Sequence, residues 1–211
     1  EPVSRSGGTP LPPVAVPADD TRDLAAMAAA LERLRVEAST CPKCGLCEGR
    51  TQVVFSGGTA RHGLMFVGEA PGFHEDQQGV PFVGRAGQLL TDIITAMGFD
   101  RNDVYIANVL KCRPPGNRTP KPQEIENCSP YLTEQLALIK PKIICALGAF
   151  AAQTLLKTTT SISALRGRIH DREGTPVICT FHPAYLLRSP GEKKKAWEDL
   201  KRLRSILNQN A

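Results

Sequence analysis

The sequence predicts an α/β fold: a single domain with a central four-stranded parallel sheet and helices on both faces. Four short apolar runs have the length of buried strands, and each gap between them has helical periodicity. The strand-like runs are LMFVGE (64–69), VYIANVL (104–110), KIICALG (142–148) and PVICTFH (176–182). Because strands buried on both faces are apolar throughout, this alternation is typical of a parallel sheet covered by helices.

The length of 211 residues is enough for one such domain and short for two. Residues 1–20 are rich in proline, glycine and small residues, so we expect a disordered leader there and the folded domain over 21–211. Apolar spacing predicts an amphipathic helix from about Thr21 to the first cysteines. The other predicted helices are 87–97, 122–139, 149–156 and 192–207.

The charge and hydropathy of the chain restrict its partners only weakly. The formal net charge of +5 is compatible with a nucleic-acid partner but does not by itself indicate one. No apolar run is long enough to span a bilayer, and no signal-peptide pattern opens the sequence. We therefore expect no membrane partner and a cytoplasmic location.

Seven cysteines in such a chain favour a metal or cluster site over disulfides. Cys145 and Cys179 lie inside predicted strands and are expected to be small core residues. The others lie in polar sequence and are candidate ligands: Cys41, Cys44, Cys47, Cys112 and Cys128. On the residues alone, structural zinc and an iron–sulfur cluster are equal alternatives.

Chemistry in a parallel sheet is expected at the carboxyl ends of the strands. The first predicted strand leads into GEAPGFHEDQQGVPFVGRAGQLL (68–90), whose glycines and proline make a tight turn with exposed backbone N–H groups. Glu69 and Glu75 add carboxylates there, and Phe82 adds a flat apolar ring. The second strand ends at Asn108. Each residue alone is also compatible with a solvated loop, a core phenylalanine or a capping asparagine.

Several motifs in order carry a family resemblance: GEAPG-x-x-ED, PFVGRAGQLL, Asn108, KCRPPGNR and HPAYLLR (182–188). Together they resemble the family 4 uracil-DNA glycosylases of bacteria and archaea, over about residues 41–207. The resemblance implies a DNA repair enzyme that flips uracil out of DNA, hydrolyses its N-glycosidic bond and leaves an abasic site. It also implies a nucleoid-associated monomer that acts on single- or double-stranded DNA.

The resemblance assigns base recognition to Asn108 and base stacking to Phe82. An amide can donate to uracil O4 and accept from N3–H, whereas cytosine presents the reverse pattern. His182 and the backbone amides of 69–72 are expected to stabilise negative charge on the departing ring. The implied uracil-binding residues are Glu69, Ala70, Gly72, Phe82, Asn108 and His182.

Orienting the attacking water requires a carboxylate. Better-known members of the superfamily have an aspartate where this chain has Ala70, so the task passes to another residue. Glu69 and Glu75 are therefore catalytic candidates together with His182. We favour Glu69 for pocket geometry and Glu75 for water, and the sequence leaves both assignments open.

The resemblance also assigns a [4Fe–4S] cluster near the N-terminal helix to four cysteines: Cys41, Cys44, Cys112 and Cys128. It leaves Cys47 without a role as a ligand. We expect the cluster to order the 112–128 loop. The implied DNA contacts are Arg85, Arg113, Arg118, Leu186, Leu187 and Arg188. A leucine of this set is expected to wedge into the duplex. The basic residues, together with Lys111, are expected to contact DNA phosphates.

Three alternatives remain open. A covalent relative would trap uracil-DNA through a histidine on a basic loop after the second strand, but KCRPPGNRTPKP has no such insertion. His170, in RGRIHDREG, lies much later in the chain and is expected in a surface hairpin. A non-catalytic nucleic-acid-binding module and an iron–sulfur electron carrier would explain the cysteines but leave the strand-end motifs without a purpose.

Overall fold

The computed structural model describes residues 23–209 of the chain. The predicted leader, residues 1–20, and both ends of the predicted domain lie outside the described residues. None of the helices in the described range combines the length and apolar character that crossing a membrane requires.

A five-stranded sheet forms the centre of the domain, in the spatial order β2-β1-β3-β5-β4. The strands are β1 (Leu64–Gly68), β2 (Tyr105–Asn108), β3 (Ile143–Leu147), β4 (Ile169–Arg172) and β5 (Thr175–Thr180). The four strands predicted from apolar runs are present and pair in parallel. The α/β class and the sheet flanked by helices are confirmed.

The predicted strand count of four is wrong, because β4 adds an antiparallel edge strand beside β5. Its sequence, IHDR, alternates between exposed and half-buried positions, so it contains no apolar run that would reveal it. Glu173 and Gly174 both have positive φ angles, as a two-residue hairpin turn between twisted strands requires. His170 therefore lies in the hairpin where the sequence analysis expected it.

Nine helices surround the sheet within residues 23–209. They are α1 (Leu24–Ser39), α2 (Leu46–Gly49), α3 (Phe73–Gln78), α4 (Arg85–Ala96), α5 (Pro122–Ile139), α6 (Ala149–Leu156), α7 (Ile162–Leu165), α8 (Pro183–Arg188) and α9 (Lys193–Gln209). The predicted bounds of α5 and α6 agree with the structure. Four helices, α2, α3, α7 and α8, have six residues or fewer, too short for periodicity to predict them.

Two hydrophobic layers cover the sheet. On one face, β-strand residues pack against α1, α5, α6 and α7, and Cys179 lies in this layer. On the other face, the strands pack against α4 and α9, and Cys145 lies there. Both cysteines are fully buried, as predicted for small core residues. Apolar contact on both faces explains why β1 and β3 are buried at every position.

Parallel pairing brings the carboxyl ends of the central strands to one edge of the sheet. Gly68 at the end of β1 lies in register with Asn108 at the end of β2. The end of β5 follows on the far side of β3, where the Gly148 N–H donates to the Thr180 carbonyl. Residues distant in the sequence therefore meet at this edge, which is where parallel sheets place their binding sites.

Candidate active site

A cleft of about 460 Å³ opens at the carboxyl ends of the strands, within the size range of small-molecule sites. All six residues predicted to bind uracil line it: Glu69, Ala70, Gly72, Phe82, Asn108 and His182. Glu75, Arg118 and Arg188 also line it. The structure adds residues that the sequence analysis did not select: Pro71, Ala86, Pro114, Asn117, Ala184 and Tyr185. Each lies inside or beside a motif, which is the signal that could have indicated it.

The side-chain oxygen of Asn108 is the most informative polar group in the cleft. It is buried at the end of β2, and no group among the described residues forms a hydrogen bond with Oδ1. Gly68 makes room for it, since a Cβ there would overlap both this oxygen and the Phe82 ring. Because buried polar atoms nearly always have partners, Oδ1 is suited to accept from a ligand N–H.

Phe82 is held in an uncommon backbone conformation, with φ = 54°. The half-buried guanidinium of Arg101 donates to the carbonyl oxygens of Pro81 (2.8 Å) and Phe82 (3.0 Å). Gly87 in α4 packs so closely that a Cβ there would overlap the Phe82 carbonyl. The Phe82 ring lies 5.6 Å from the His182 ring, centroid to centroid. These contacts fix a flat apolar surface beside Asn108.

Glu75 holds the same turn from the other side. Its Oε1 accepts hydrogen bonds from the backbone N–H groups of Val83 and Gly84, both at 2.9 Å. A Cβ on Gly72 would lie 2.8 Å from Oε2, so a larger residue there would displace this carboxylate oxygen. One carboxylate oxygen of Glu75 is therefore committed to the backbone, and only Oε2 is left for water or ligand.

Glu69 differs from Glu75 in its surroundings. Burial raises the pKa of Glu69 above its usual range. Within residues 23–209, its carboxylate receives no hydrogen bond, while its backbone oxygen accepts from the Leu110 N–H at 3.0 Å. The Glu69 carboxylate thus lines the cleft with both oxygens available to a bound molecule.

His182 is the N-cap of α8, and its environment defines the tautomer. The Ala184 N–H donates to His182 Nδ1 at 3.1 Å, so a neutral imidazole carries its proton on Nε2. Burial, reinforced by the positive charge of Arg188 and opposed by Glu75, lowers the pKa of His182 to about 4. The ring is therefore a neutral N–H donor at physiological pH.

The predicted DNA contacts are not equally available. Leu186 is 1% exposed and packs with Phe181 and Ala196, so it cannot be the wedge, because it belongs to the core. Leu187 is half-buried, while Arg85 and Arg188 are exposed at the surface. Of these two leucines, Leu187 is therefore the one that solvent can reach.

Arg118 and Lys111, two of the residues predicted to contact phosphate, bind charged or polar groups within the protein. Arg118 forms a bidentate ion pair with Glu124, at 2.6 and 2.9 Å, while still lining the cleft. Lys111 is 2% exposed, so the expectation that it favours phosphate is wrong. Its ammonium donates to the Asn108 backbone oxygen (2.7 Å) and to Gln135 Oε1 (2.6 Å). Lys111 supports the strand end that carries Asn108.

Five cysteines line one small cavity between α1, α2, α5 and the loop after β2: Cys41, Cys44, Cys47, Cys112 and Cys128. The Lys111 N–H donates to Cys128 Sγ at 3.3 Å, and Arg50 donates to Cys112 Sγ at 3.5 Å. Lys43 also lines the cavity, and no carboxylate does. In the described range, no group of three or more His, Cys, Asp or Glu side chains is placed to hold a metal ion. The cavity combines sulfur atoms with positive charge.

Comparison with known proteins agrees with this geometry. Residues 55–201 match the family model described as Uracil DNA glycosylase superfamily. The type-4 uracil-DNA glycosylase of Archaeoglobus fulgidus is 43% identical over 175 residues, which cover 79% of this chain and 88% of the relative. The type-4 enzyme of Thermotoga maritima is 44% identical over 173 residues, 80% of this chain and 90% of the relative.

A type-5 relative is more distant. The type-5 uracil-DNA glycosylase of Pyrobaculum aerophilum is 33% identical over 140 residues, 58% of this chain and 62% of the relative. The type-4 uracil-DNA glycosylase of the same organism is 42% identical over 178 residues, 81% of this chain and 91% of the relative. The chain therefore belongs to the uracil-DNA glycosylase superfamily, among its type-4 members.

Proposed function

We propose that the protein excises uracil from DNA by hydrolysing the N-glycosidic bond, which releases free uracil and leaves an abasic site. The observation that carries the proposal is the unpartnered Asn108 Oδ1, which is buried in the strand-end cleft beside the Phe82 ring. The type-4 uracil-DNA glycosylases that resemble this chain over most of their length support the same activity.

Asn108 would select uracil over cytosine. Uracil N3–H donates to Oδ1 and the side-chain amide donates to O4, while cytosine would place its N3 lone pair against Oδ1 and its amino group against the amide N–H groups. Such a mismatch leaves buried polar groups unpaired and rejects the wrong base strongly. Stacking on Phe82 would add about 1–3 kcal/mol of binding free energy for either base, so it raises affinity without discriminating between uracil and cytosine.

His182 would stabilise the leaving group. Bond cleavage leaves negative charge on the uracil ring, and the neutral imidazole offers its Nε2–H as a donor without itself being charged. The backbone N–H groups of the turn within Glu69–Gly72 offer further donors at the end of β1. Fixed donors of this kind in a buried site are each worth about 10²–10³ in rate.

The sequence alone favoured Glu75 for water and Glu69 for pocket geometry. We propose the reverse: Glu69 orients the attacking water, and Glu75 acts mainly through the turn that carries Phe82. Glu69 lines the cleft with both oxygens available, whereas Oε1 of Glu75 accepts from Val83 and Gly84. A fixed Glu75 carboxylate would still contribute negative charge opposite the oxocarbenium-like sugar. Both residues therefore belong to the catalytic set, with different tasks.

We further propose that Cys41, Cys44, Cys112 and Cys128 hold a [4Fe–4S] cluster. The donor set fits: the four sulfurs line one cavity together with Lys43, Arg50 and Lys111, and no carboxylate lines it. Thiolates are the usual ligands of such clusters, and their negative charge would be favoured beside these basic residues. When bound, the cluster would join α1, the loop after β2 and α5 into one rigid unit. A zinc ion on the same thiolates is the competing occupant, and an assay for iron and acid-labile sulfide separates the two.

DNA would lie across the cleft, with phosphates near Arg85, Arg113, Arg118 and Arg188 and with Leu187 against the gap left by uracil. One chain provides the whole cleft, so we propose a monomer as the active form. The relatives come from archaea and bacteria, where we infer that the protein acts on uracil-containing DNA of the nucleoid in the cytoplasm.

The test is a cleavage assay on an oligonucleotide with one uracil, followed by hot alkali to break abasic sites. Strand breaks at uracil, absent from matched thymine and cytosine oligonucleotides, are the expected result. A band shift that resists denaturant, without breaks, would assign the protein to the covalent type. If protein of verified iron content gives no strand breaks and no band shift, the glycosylase proposal is refuted.

A further inference from the structure

Two exposed aromatic rings flank the mouth of the cleft. Within residues 23–209, the exposed phenylalanine and tyrosine side chains are Phe73, at 52%, and Tyr185, at 37%. Tyr185 lines the cleft itself, and Phe73 directly follows Gly72, which also lines it. A single exposed apolar ring is common at protein surfaces, so the case for a ligand rests on the groups that are held against Phe73.

Phe73 is supported from within the protein. The Arg113 guanidinium lies over its ring, 5.2 Å from the centroid, and the His74 ring meets it edge-on at 5.4 Å. Arg113 is itself fixed, because its Nε donates to Asn117 Oδ1 at 2.7 Å, and Asn117 lines the cleft. A positive charge and a flat apolar ring are thus held together at the rim of the cleft. Solvent has access to about half of the Phe73 surface.

We propose that Phe73, backed by Arg113, is a stacking platform for a nucleobase adjacent to the flipped uracil. The inference rests on the proposed glycosylase function and extends it to a second base-binding position. Extrusion of uracil removes one stacking partner from each neighbouring base, and an exposed phenyl ring can replace that partner. Base–aromatic stacking tolerates any base, so the platform recognises an unstacked base and not a particular sequence.

The charge next to the ring distinguishes this platform from a protein-docking site. Arg113 combines cation–π contact with attraction for the phosphate that joins the two nucleotides. The platform is continuous with the cleft through Asn117, so a base on Phe73 would belong to the same strand as the bound uracil. Single-stranded DNA, whose bases are free to leave the stack, should benefit most.

The test measures KM and kcat of wild type and of Phe73→Leu on single-stranded oligonucleotides with one uracil. In one series, the base on the 5′ or the 3′ side of uracil is replaced by an abasic spacer. We expect Phe73→Leu to raise KM at least about fivefold on the intact oligonucleotide, the lower end of a stacking contribution, with kcat unchanged. On the oligonucleotide that lacks the stacked neighbour, wild type and variant should have equal KM.

Phe73→Trp and Ile169→Ala are the matched controls. Phe73→Trp retains a ring and should keep the wild-type KM. Ile169 is 56% exposed on the edge strand β4, and its truncation should change neither constant. The salt dependence of KM should be the same for Phe73→Leu and wild type, since no phosphate contact is removed.

An equal KM for Phe73→Leu and wild type on every oligonucleotide would overturn the platform while leaving the glycosylase function intact. A KM increase that persists with both neighbours abasic would also overturn it, because the effect would then not be stacking on a neighbouring base. Wild type that cleaves no uracil oligonucleotide would instead refute the underlying function.

Discussion

Arg101 donates a hydrogen bond of 3.0 Å to the backbone oxygen of Phe82, a residue in the left-handed conformation. A second bond of 2.8 Å reaches the Pro81 oxygen. From the opposite side, Glu75 accepts from the next two amides. A non-glycine residue at positive φ persists only where its surroundings determine it, and these two side chains do so.

Replacing Arg101 with lysine should therefore weaken uracil binding although Arg101 does not line the cleft. In Arg101, Nη2 donates to both carbonyls while Nη1 donates to Thr91 Oγ1. Lysine keeps the charge but has only one nitrogen, so it cannot keep this planar arrangement and Phe82 is held less firmly. We expect KM for a uracil oligonucleotide to rise about tenfold. Arg172→Lys is the control, since Arg172 also donates to a backbone oxygen, that of Leu155, but on the edge strand. Equal KM values for the two variants would count against the positioning role.

Asn108→Asp should relax the choice of base. The aspartate can accept from the cytosine amino group, whereas the original amide, oriented to bind uracil, places its N–H groups at that position. We expect cleavage of cytosine oligonucleotides to become measurable and the uracil rate to fall. Asn102→Asp, at an exposed position away from the cleft, makes the same chemical change and should leave selectivity unaltered. Undiminished selectivity in the Asn108 variant would remove this residue from base recognition.

The two glutamates should respond differently to neutral substitution. Glu69→Gln should lower kcat about 100-fold, the scale of a lost general-base contribution. Glu75→Gln retains an oxygen for the Val83 and Gly84 amides and should keep most activity, whereas Glu75→Ala should raise KM by releasing the Phe82 turn. Steady-state kinetics of the three variants provide the comparison. If Glu75→Gln instead lost as much kcat as Glu69→Gln, water orientation would move to Glu75.

The neutral, half-buried His182 should make the protein less stable in mild acid. Its folded-state pKa of about 4 lies below the unfolded value near 6.5, so the unfolded chain takes up a proton first as the pH falls. The free energy of unfolding should therefore decline from about pH 6.5 to about pH 4, by about 1–2 kcal/mol from this residue at pH 5. Urea unfolding of wild type and His182→Asn at pH 7.5 and pH 5 measures the difference. Equal acid losses in both proteins would contradict a depressed pKa.

The cysteine cavity allows a direct test of ligand identity. Cys112→Ser should abolish the iron content and the brown absorbance of the purified protein, whereas Cys47→Ser should retain both. The comparison is sharp because both sulfurs line the same cavity. Iron and sulfide analysis together with the visible spectrum is the measurement. Loss of colour in Cys47→Ser but not in Cys112→Ser would reverse the assignment.

The sequence by itself determined the features that depend on local pattern. Apolar runs indicated the four parallel strands, because strands covered on both faces must be apolar throughout. The bounds of α5 followed from Pro122 at its first turn and from its apolar spacing. Motifs at the ends of predicted strands indicated a common site, since parallel strands end at the same edge of the sheet.

Only the tertiary structure decided which groups meet and which are covered. β4 contains no apolar run, because an edge strand is half exposed, and its pairing with β5 is what defines it. Adjacent leucines differ, with Leu186 packed in the core and Leu187 partly exposed, because the position of α8 and not residue type sets their burial. The charge of Lys111 suggested the surface, yet its ammonium is buried against Asn108 and Gln135. The local sequence pattern indicates the average burial of one segment. Which residues from distant segments come into contact is decided by the packing of the whole fold.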